Sequence, residues 1–439
     1  MADYCRERGE KHMERWKEIE RIPAPTLIPT YGPLTGMRVL MTGSIVAAPF
    51  AAAILAEYGA EVIHVERPNV GDPYREQAPV LKRGDRKVSA AWVQEARNKL
   101  SLTLEVNLKI PESKEIFLSL IKNCDVWVEN MVWTEKLGIT EELLLEVNPK
   151  LVISHISGFG RPQFGGVPED CNRPSYDPIG QAEGGYMFVN GFPEPMPPSP
   201  AAGFMNDYVT ALFTVNGILM AYLHAQKTGQ GQAIDVSQIE SMSKLLSDTF
   251  VQYFLLNKIK QRAGNKVPIF QPANLFKTKD EKYLYIGAYG PFVFGRFIKA
   301  LELDPNRFTH EAAGVSPEAI NSEIGLELNQ LTIDWVAAHE AEEAKQYLLS
   351  FKVPCGIVKT SADLAASEHY QRRGDFIEYK DETLGETVKA FGFVPKMSKT
   401  PAQVWRGAPH LGQDSETILN KILGYSEEEI TGFRQKGII

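Results

Sequence analysis

The chain has 439 residues, 44% of them hydrophobic and 23% charged, the proportions of an ordinary globular protein with room for two domains or one large domain with an insertion. A net charge of −8 argues against a nucleic-acid or anionic-membrane surface, while leaving room for a local basic pocket. Four cysteines without paired or metal-ligand spacing, and eight histidines without an HExxH-type cluster, suit a reducing, cytoplasmic setting and give no metal motif.

The first 30 residues lack the apolar core of a signal peptide. Residues 1–21 are dense in charge and predict an exposed, peripheral helix, and Pro23, Pro25 and Pro29 predict an extended tether into the first domain. Residues 38–41 then read as a short strand that stops at Thr42-Gly43. Pro49 suits the first turn of a helix, Phe50, Ile54 and Tyr58 recur at helical spacing, and Gly59 ends it. Residues 61–65 are the next strand. A crossover this short joins parallel strands, so the segment is a βαβ unit of an open α/β sheet. Ligands bind such sheets at the carboxyl ends of the strands, which should bring residues 43–47 and 66–75 to one cleft.

Residues 74–92 read as irregular. Strands are expected at 100–106, 125–130 and 151–156. A helix opened by Pro111 carries an apolar stripe at Ile116, Leu120 and Ile121, and Thr140 N-caps a helix over 141–147. Residues 161–203 are rich in Pro and Gly and read as one long loop, a length usually tied to function. This loop leads into Asp207 and a long apolar helix ending near Lys227. A strand follows at 234–236 and a second long helix at 240–257. A basic linker, 258–272, opens a smaller α+β segment. It holds a hairpin around Asp280-Glu281 and helices at 292–301 and 333–351, and after residues 353–358 comes a further helical stretch. Strands at 375–393 and helices at 415–423 and 426–436 close the chain. No apolar run is expected to span a membrane.

A glycine turn with an acid about 20 residues on is the outline of a dinucleotide site. Here Gly43 is followed by Ser44-Ile45-Val46-Ala47-Ala48-Pro49, so the further glycines that would admit a pyrophosphate are missing. Asp207 stands where the irregular loop meets the amino end of a buried helix. An Asp there is ordinarily an N-cap, yet a carboxylate held at a helix end can also attack an activated acyl or phosphoryl centre. Arg67, Arg75, Lys109 and Lys136 fall near strand ends, where together they would make a pocket for the phosphates of a nucleotide or coenzyme A.

Several segments in order resemble the family III CoA-transferases, which include formyl-CoA transferase and L-carnitine CoA-transferase. They include Gly32-Pro-Leu-Thr-Gly-Met-Arg-Val39, Ala47-Ala-Pro-Phe50, Glu57-Tyr-Gly-Ala-Glu-Val-Ile63, Glu66-Arg-Pro68 with Gly71-Asp72, and Glu129-Asn130. Lys136-Leu-Gly138, Ser157-Gly-Phe-Gly160, Tyr176-Asp177, Lys227-Thr-Gly-Gln-Gly-Gln232, Val353-Pro-Cys-Gly356 and Pro409-His-Leu-Gly412 complete the set. The resemblance runs from about residue 32 to the C-terminus, and Gln403-Val-Trp-Arg-Gly407 and Leu423-Gly-Tyr-Ser426 look most like the carnitine branch.

The resemblance implies that Asp207 is the nucleophile. Ile45 and Ala47 would give backbone contacts to the adenine end of CoA, Arg67 and Lys109 would sit at its nucleotide, and Asn130 would line its channel. Lys136 falls where the family usually has arginine, which keeps the charge without the bidentate fork. The implied fold is a Rossmann-like large domain built from both chain ends with a small α+β domain, a ring-like monomer in an interlocked dimer. The corresponding domain bounds are an arm at 1–31, the large domain at 32–257, a linker and small domain at 258–360, and a return at 361–439.

The implied reaction moves CoA from an acyl-CoA donor to a carboxylic acid, carnitine-like or a 2-hydroxy or aryl acid, through an aspartyl anhydride and an aspartyl-CoA thioester. Acyl-CoA is substrate, and neither a permanently bound cofactor nor a metal is expected. The partners are the two acids and a second copy of the chain or a different subunit. Tyr186, Phe188, Phe192, Tyr289 and Phe292 are candidate walls for a quaternary ammonium. An α-methylacyl-CoA racemase would carry His-Asp where this chain has Tyr176-Asp177. A non-catalytic acyl-CoA-binding subunit is the remaining alternative.

Overall fold

A computed structural model describes residues 14–439 and divides them into two units. The first comprises residues 14–186, Ala201–Ser247 and Gly374–Ile439. The second comprises Met187–Pro200 and Asp248–Arg373. These changeovers differ from the sequence bounds at 257/258 and 360/361. The expected helix over 240–257 is in fact two, Gln238–Lys244 and Thr249–Leu256, and Ser247, in the left-handed region at φ +52°, lies between them at the divide.

The first unit is built on six parallel strands: β1 (Arg38–Met41), β2 (Glu61–Glu66), β5 (Leu100–Thr103), β6 (Val126–Glu129), β7 (Val152–Ser157) and β8 (Gln232–Ser237), in the order β5-β2-β1-β6-β7-β8. Between β2 and β5 lies a small hairpin, β3 (Val80–Arg83) with β4 (Arg86–Ser89), in the stretch read as irregular. Two neighbouring strands start their crossovers in opposite directions, so the sheet has a switch point between β1 and β6, where ligands of such sheets bind.

Alternation along β1 shows why the sequence folds this way. Leu40 turns to one core with Ile63, Leu102, Trp127 and the helix α2 (Pro111–Asn123), while Val39 and Met41 turn to the other. That second core holds α1 (Ala47–Glu57) and α4 (Met205–Thr228). Parallel strands covered on both faces are mainly apolar, as the centres of β1 and β6 are, while β2, β5, β7 and β8 also carry polar residues such as His64, Ser101, His155 and Asp235. In α1 the expected stripe is corrected. Phe50 and Ile54 are only half-buried, and the face that packs on the sheet is made of Ala48, Ala52, Leu55 and Ala56. Small side chains let the helix lie close to the strands.

The expected long loop at 161–203 carries three short helices, Pro168–Cys171, α3 (Asp177–Glu183) and Tyr186–Val189. Among the described residues one helix, α4, has the length and apolar composition to cross a membrane, contrary to the sequence reading. It lies against β7, β8 and α1, as a core helix does. α5 (Gln238–Lys244) follows β8.

The second unit has a three-stranded antiparallel sheet, order β11-β10-β9, made by β9 (Ala273–Lys277), β10 (Tyr283–Gly287) and β11 (Cys355–Ile357). Helices Gly290–Ala300, Glu323–Ala337 and Ala341–Ser350 cover it around Phe294, Phe297 and Leu328. The last two replace the single helix expected at 333–351. In the first unit Phe376–Lys380 pairs with Thr387–Phe391, and helices Ser415–Lys421 and Glu427–Gln435 close the chain.

The peripheral arm is also corrected where it is described; its first 13 residues lie outside the described residues. Trp16 packs in the core, and the tether is fastened to the amino ends of β1 and β2. Arg38 and Glu61, neighbours on these strands, form a fully buried ion pair at 2.6 Å. Glu61 Oε1 accepts the N–H groups of Thr26 (2.7 Å) and Leu27 (2.6 Å), and Arg38 donates to Ile22 O and Thr26 Oγ1, both at 2.7 Å. Removing one member leaves an uncompensated buried charge. Glu61→Leu is therefore expected to destabilise the protein by about 3 kcal/mol or more in urea unfolding, with much of the loss recovered in Arg38→Met/Glu61→Leu.

Candidate active site

Asp207 is not the N-cap of α4. It is the third residue of the helix. The cap position belongs to Phe204, which sits in the left-handed region at φ +57° and supplies no capping side chain. The cap comes from another segment: Asp177 Oδ1 accepts the N–H groups of Asn206 at 2.6 Å and Asp207 at 3.2 Å. Its other oxygen accepts Gln181 Nε2 at 2.7 Å. The close approach needs Gly180, where a Cβ would fall 1.9 Å from Asn206 Nδ2. Asp177 thus satisfies the helix end and leaves the Asp207 carboxylate free of that duty.

The Asp207 side chain is held by Gln238, which follows β8 at its carboxyl end. Gln238 Nε2 donates to Asp207 Oδ1 at 2.5 Å, and its Oε1 accepts from Ser175 Oγ at 2.7 Å. Burial pushes the Asp207 carboxyl up to about 7, the like charge of Asp177 adds to the rise, and the bond from Gln238 opposes it. The group therefore changes charge near neutral pH.

Asp207 lines a cavity of about 230 Å³. Its walls come from the carboxyl ends of β1, β6, β7 and β8: residues 44–47, Asn130 with Val132, residues 156–158, and Gln238. The segment from Cys171 to Tyr176 supplies the rest, and Arg173 is the one cation among the lining residues. Arg173 is fixed by Asp170 (3.1 Å) and Glu183 (2.6 Å) and lies 4.3 Å over the Phe159 ring.

Four of the sequence candidates meet here: Ile45, Ala47, Asn130 and Asp207. Asn130 also shapes the wall, since its amide accepts from Ser44 N and donates to Ser44 O, both at 2.9 Å. Gly43 is required for this approach, because a Cβ there would meet Ala48 Cβ at 2.4 Å and Asn130 Oδ1 at 2.8 Å. The expected meeting of residues 43–47 with 66–75 is also seen: Ile45 N donates to Asp72 Oδ1 at 3.0 Å.

Arg67, Lys109 and Lys136 do not line the cavity; all three are exposed. They follow β2, β5 and β6 at the same edge of the sheet. Arg67 lies 3.7 Å from Glu105, the Lys136 ammonium sits 4.3 Å over the Trp133 ring, and a backbone bond from Leu108 N to Leu137 O (2.8 Å) joins the loops that carry the two lysines. Arg75 is not a free cation: it makes a bidentate pair with buried Glu66 at 2.7 and 2.6 Å.

The five aromatics proposed for a cationic acceptor do not line the cavity, where Tyr176 is the only aromatic. Phe188 and Phe192 are instead gathered around Arg262, and Tyr289 meets Phe270 edge to face. Gln238 was missed. Its position just after the strand expected at 234–236, like that of residues 43–47 after theirs, was the available signal. Asp177 was noticed only as the partner of Tyr176 in a motif. Among the described residues no group of three His, Cys, Asp or Glu side chains is placed to hold a metal, and Cys124, Cys171 and Cys355 are free thiols.

Fold and site together define a doubly wound α/β protein with a buried carboxylate at the carboxyl ends of its strands. The model of CoA-transferase family III matches residues 34–415. The bile acid CoA-transferase BaiK of Clostridium scindens is 36% identical, over 93% of this chain and 90% of its own. The alpha subunit of the succinyl-CoA–L-malate CoA-transferase of Chloroflexus aurantiacus is 34% identical over 93% and 92%. The solved structure of a CAIB/BAIF family protein from Brucella suis aligns at a TM-score of 0.76 with 25% identity, over 90% of this chain and all of that one. The chain belongs to CoA-transferase family III and is an enzyme of the CoA-transferase type.

The Asp207 carboxyl has a sign that can be checked. Its folded value, about 7, lies above its ordinary 3.8, so between those pH values the folded state binds the extra proton and stability falls as pH rises. Asp207→Asn removes this dependence. Thermal or urea unfolding is expected to show the variant more stable than wild type at pH 8 by about 3 kcal/mol, with the difference mostly gone at pH 4.

Proposed function

We propose that Asp207 is the nucleophile of a CoA transfer between two carboxylic acids, and the observation that carries this reading is its buried carboxylate, fixed by Gln238 and relieved of capping by Asp177. The ionised oxygen attacks the thioester carbonyl of the donor, the C–S bond breaks, and an aspartyl anhydride and CoA thiolate result. The thiolate attacks the Asp207 carbonyl, expelling the donor carboxylate and leaving an aspartyl-CoA thioester. The acceptor carboxylate attacks that thioester and again frees the thiolate, which takes the acceptor acyl group from the second anhydride and restores Asp207. α1 begins in the cavity wall with Val46 at its N-cap and no side-chain cap, so its first N–H groups are assigned to the oxyanions of these steps.

CoA is assigned along the carboxyl edge of the sheet. Ile45, Ala47 and Asn130 share the cavity with Asp207 and therefore meet the arm that carries the thioester rather than the adenine end. Arg67, Lys109 and Lys136, on the exposed edge beyond it, take the phosphates. Only ionised Asp207 attacks, so the rate of the first step should rise with pH through about 7.

For the acceptor, a lining with Arg173, Ser157 and Ser175 and a single aromatic favours an anionic hydroxy acid over a quaternary ammonium. The named malate enzyme is in keeping with this. The racemase alternative lacks a second base: the Asp177 oxygens are committed to Asn206, Asp207 and Gln181, and no histidine lines the cavity.

The active assembly is proposed to be an interlocked dimer of ring-like chains, with a second copy or a different subunit. Helix Thr249–Leu256 has no buried residue and exposes Phe254 and Leu255 at 77% each, an apolar surface that calls for a partner. Light scattering should give about twice the 49.0 kDa of one chain.

The decisive experiment is mass spectrometry after incubation with a panel of acyl-CoAs and trapping with hydroxylamine. A hydroxamate on Asp207, absent in Asp207→Ala, is the expected result; donors consumed with no modification of Asp207 would reject the mechanism. With acceptors added, Arg173→Gln should raise KM for hydroxy acids about tenfold or more and leave the first step unchanged.

A further inference from the structure

The turn after β1 contains a residue in a conformation its side chain opposes. Ile45 has φ +71°, in the left-handed region that a β-branched side chain avoids at a cost of about 1–3 kcal/mol. It lies on the wall of the cavity that Asp207 also lines. What holds it is Asp72. Both carboxylate oxygens of Asp72 lie within reach of the Ile45 N–H, at 3.0 and 3.2 Å, and Oδ1 also accepts the N–H of Tyr74 at 2.9 Å.

Asp72 is itself buried, at 4% exposure, and locked from behind. Its N–H donates to Glu66 Oε2 at 3.0 Å. Glu66 is braced by Arg75 and accepts Ser101 Oγ at 2.7 Å, and Arg75 lies 4.0 Å over the Trp92 ring. Lys99, buried beside this group, donates to Pro49 O in the first turn of α1 at 2.8 Å, so the network grips both ends of the turn. Asp72 also caps the short helix Pro73–Glu76 through the Tyr74 N–H, but its bonds to Ile45 hold a strained residue where glycine would adopt the same turn without help.

We propose that Asp72 is a positioning residue of the CoA-transfer site, acting through the Ile45 N–H to keep residues 44–47 in the shape that receives the thioester arm of CoA. Asp72 touches no substrate. The proposal rests on the reading of this cavity as the CoA-transfer site.

Asp72→Asn, Ile45→Gly and the double variant separate the two readings. Each is measured for CoA affinity by calorimetry, for the rate of Asp207 modification by an acyl-CoA, and for thermal unfolding. In Asp72→Asn the hold on Ile45 weakens, and CoA affinity and the modification rate are expected to fall about tenfold, the factor that matches the lower end of the strain. Glycine needs no such hold, so Ile45→Gly/Asp72→Asn should bind CoA within about threefold of Ile45→Gly. A role in general stability gives a different pattern, in which the same loss appears whether residue 45 is Ile or Gly, and that result overturns the proposal. Should Asp72→Asn fail to fold, the double variant decides: folding and binding CoA support the proposal, and failing as well overturns it. If wild type binds CoA without modification of Asp207, the transfer mechanism falls while the coupling is still read in CoA affinity. If wild type binds no CoA, both fall.

Discussion

The capping of α4 by Asp177 is the interaction on which the rest of the site depends. A helix that begins in a left-handed Phe204 leaves its first N–H groups open, and an acid in the first turn would ordinarily fold back on them. Asp177 takes that role from a neighbouring segment, through two N–H groups. Asp207 is then an acid in the first turn with no structural task, packed where water is scarce. The same arrangement bears on its charge: burial does most to lift Asp207 toward neutrality, and the carboxylate that caps the helix adds its like charge.

The sheet explains why these pieces meet. Residues 43–47, Asn130, residues 156–158 and Gln238 are distant in sequence, yet each lies at or just past the carboxyl end of a parallel strand. Parallel strands in register put all those stretches at one edge. The helices that cover both faces then shut solvent out from the sides, which is why most strand residues are apolar. The buried charges at the two ends of the strands have a common logic: Arg38 with Glu61 at the amino ends, and Glu66 with Arg75 and Asp72 at the carboxyl ends, each fix an irregular segment.

Much of this was legible in the sequence. The strand–helix–strand unit around Pro49, the placement of the cleft and the position of Asp207 at the start of a long helix follow from periodicity and turn chemistry. The rest was not legible for physical reasons. The N-cap rule reads local sequence, and here the cap comes from a residue 30 positions earlier, so Asp207 looked like a cap when it is not one. The alanines of α1 carry little hydrophobic signal, although they form its buried face. The break at residues 245–248 and the divide it marks depend on a left-handed Ser247, a residue type that gives no warning of that conformation. The candidate aromatics were grouped by proximity to loops, whereas their actual neighbours, Arg262 among them, are set by the second unit's own packing.

Ile45 and Asp207 share an origin. Each is a local cost, one of backbone strain and one of a desolvated charge, and each is held by a side chain from another segment: Asp72 and Gln238. In a protein whose net stability is on the order of 10 kcal/mol, two such costs of a few kcal/mol persist only where the surrounding structure fixes them. Both occur on the wall of one cavity, at the one edge of the sheet where the topology leaves an opening. A desolvated carboxylate is the more reactive for having lost its hydration, and a turn fixed before the ligand arrives need not be ordered by it. Each position thus forgoes stability that only a side chain from another segment makes tolerable.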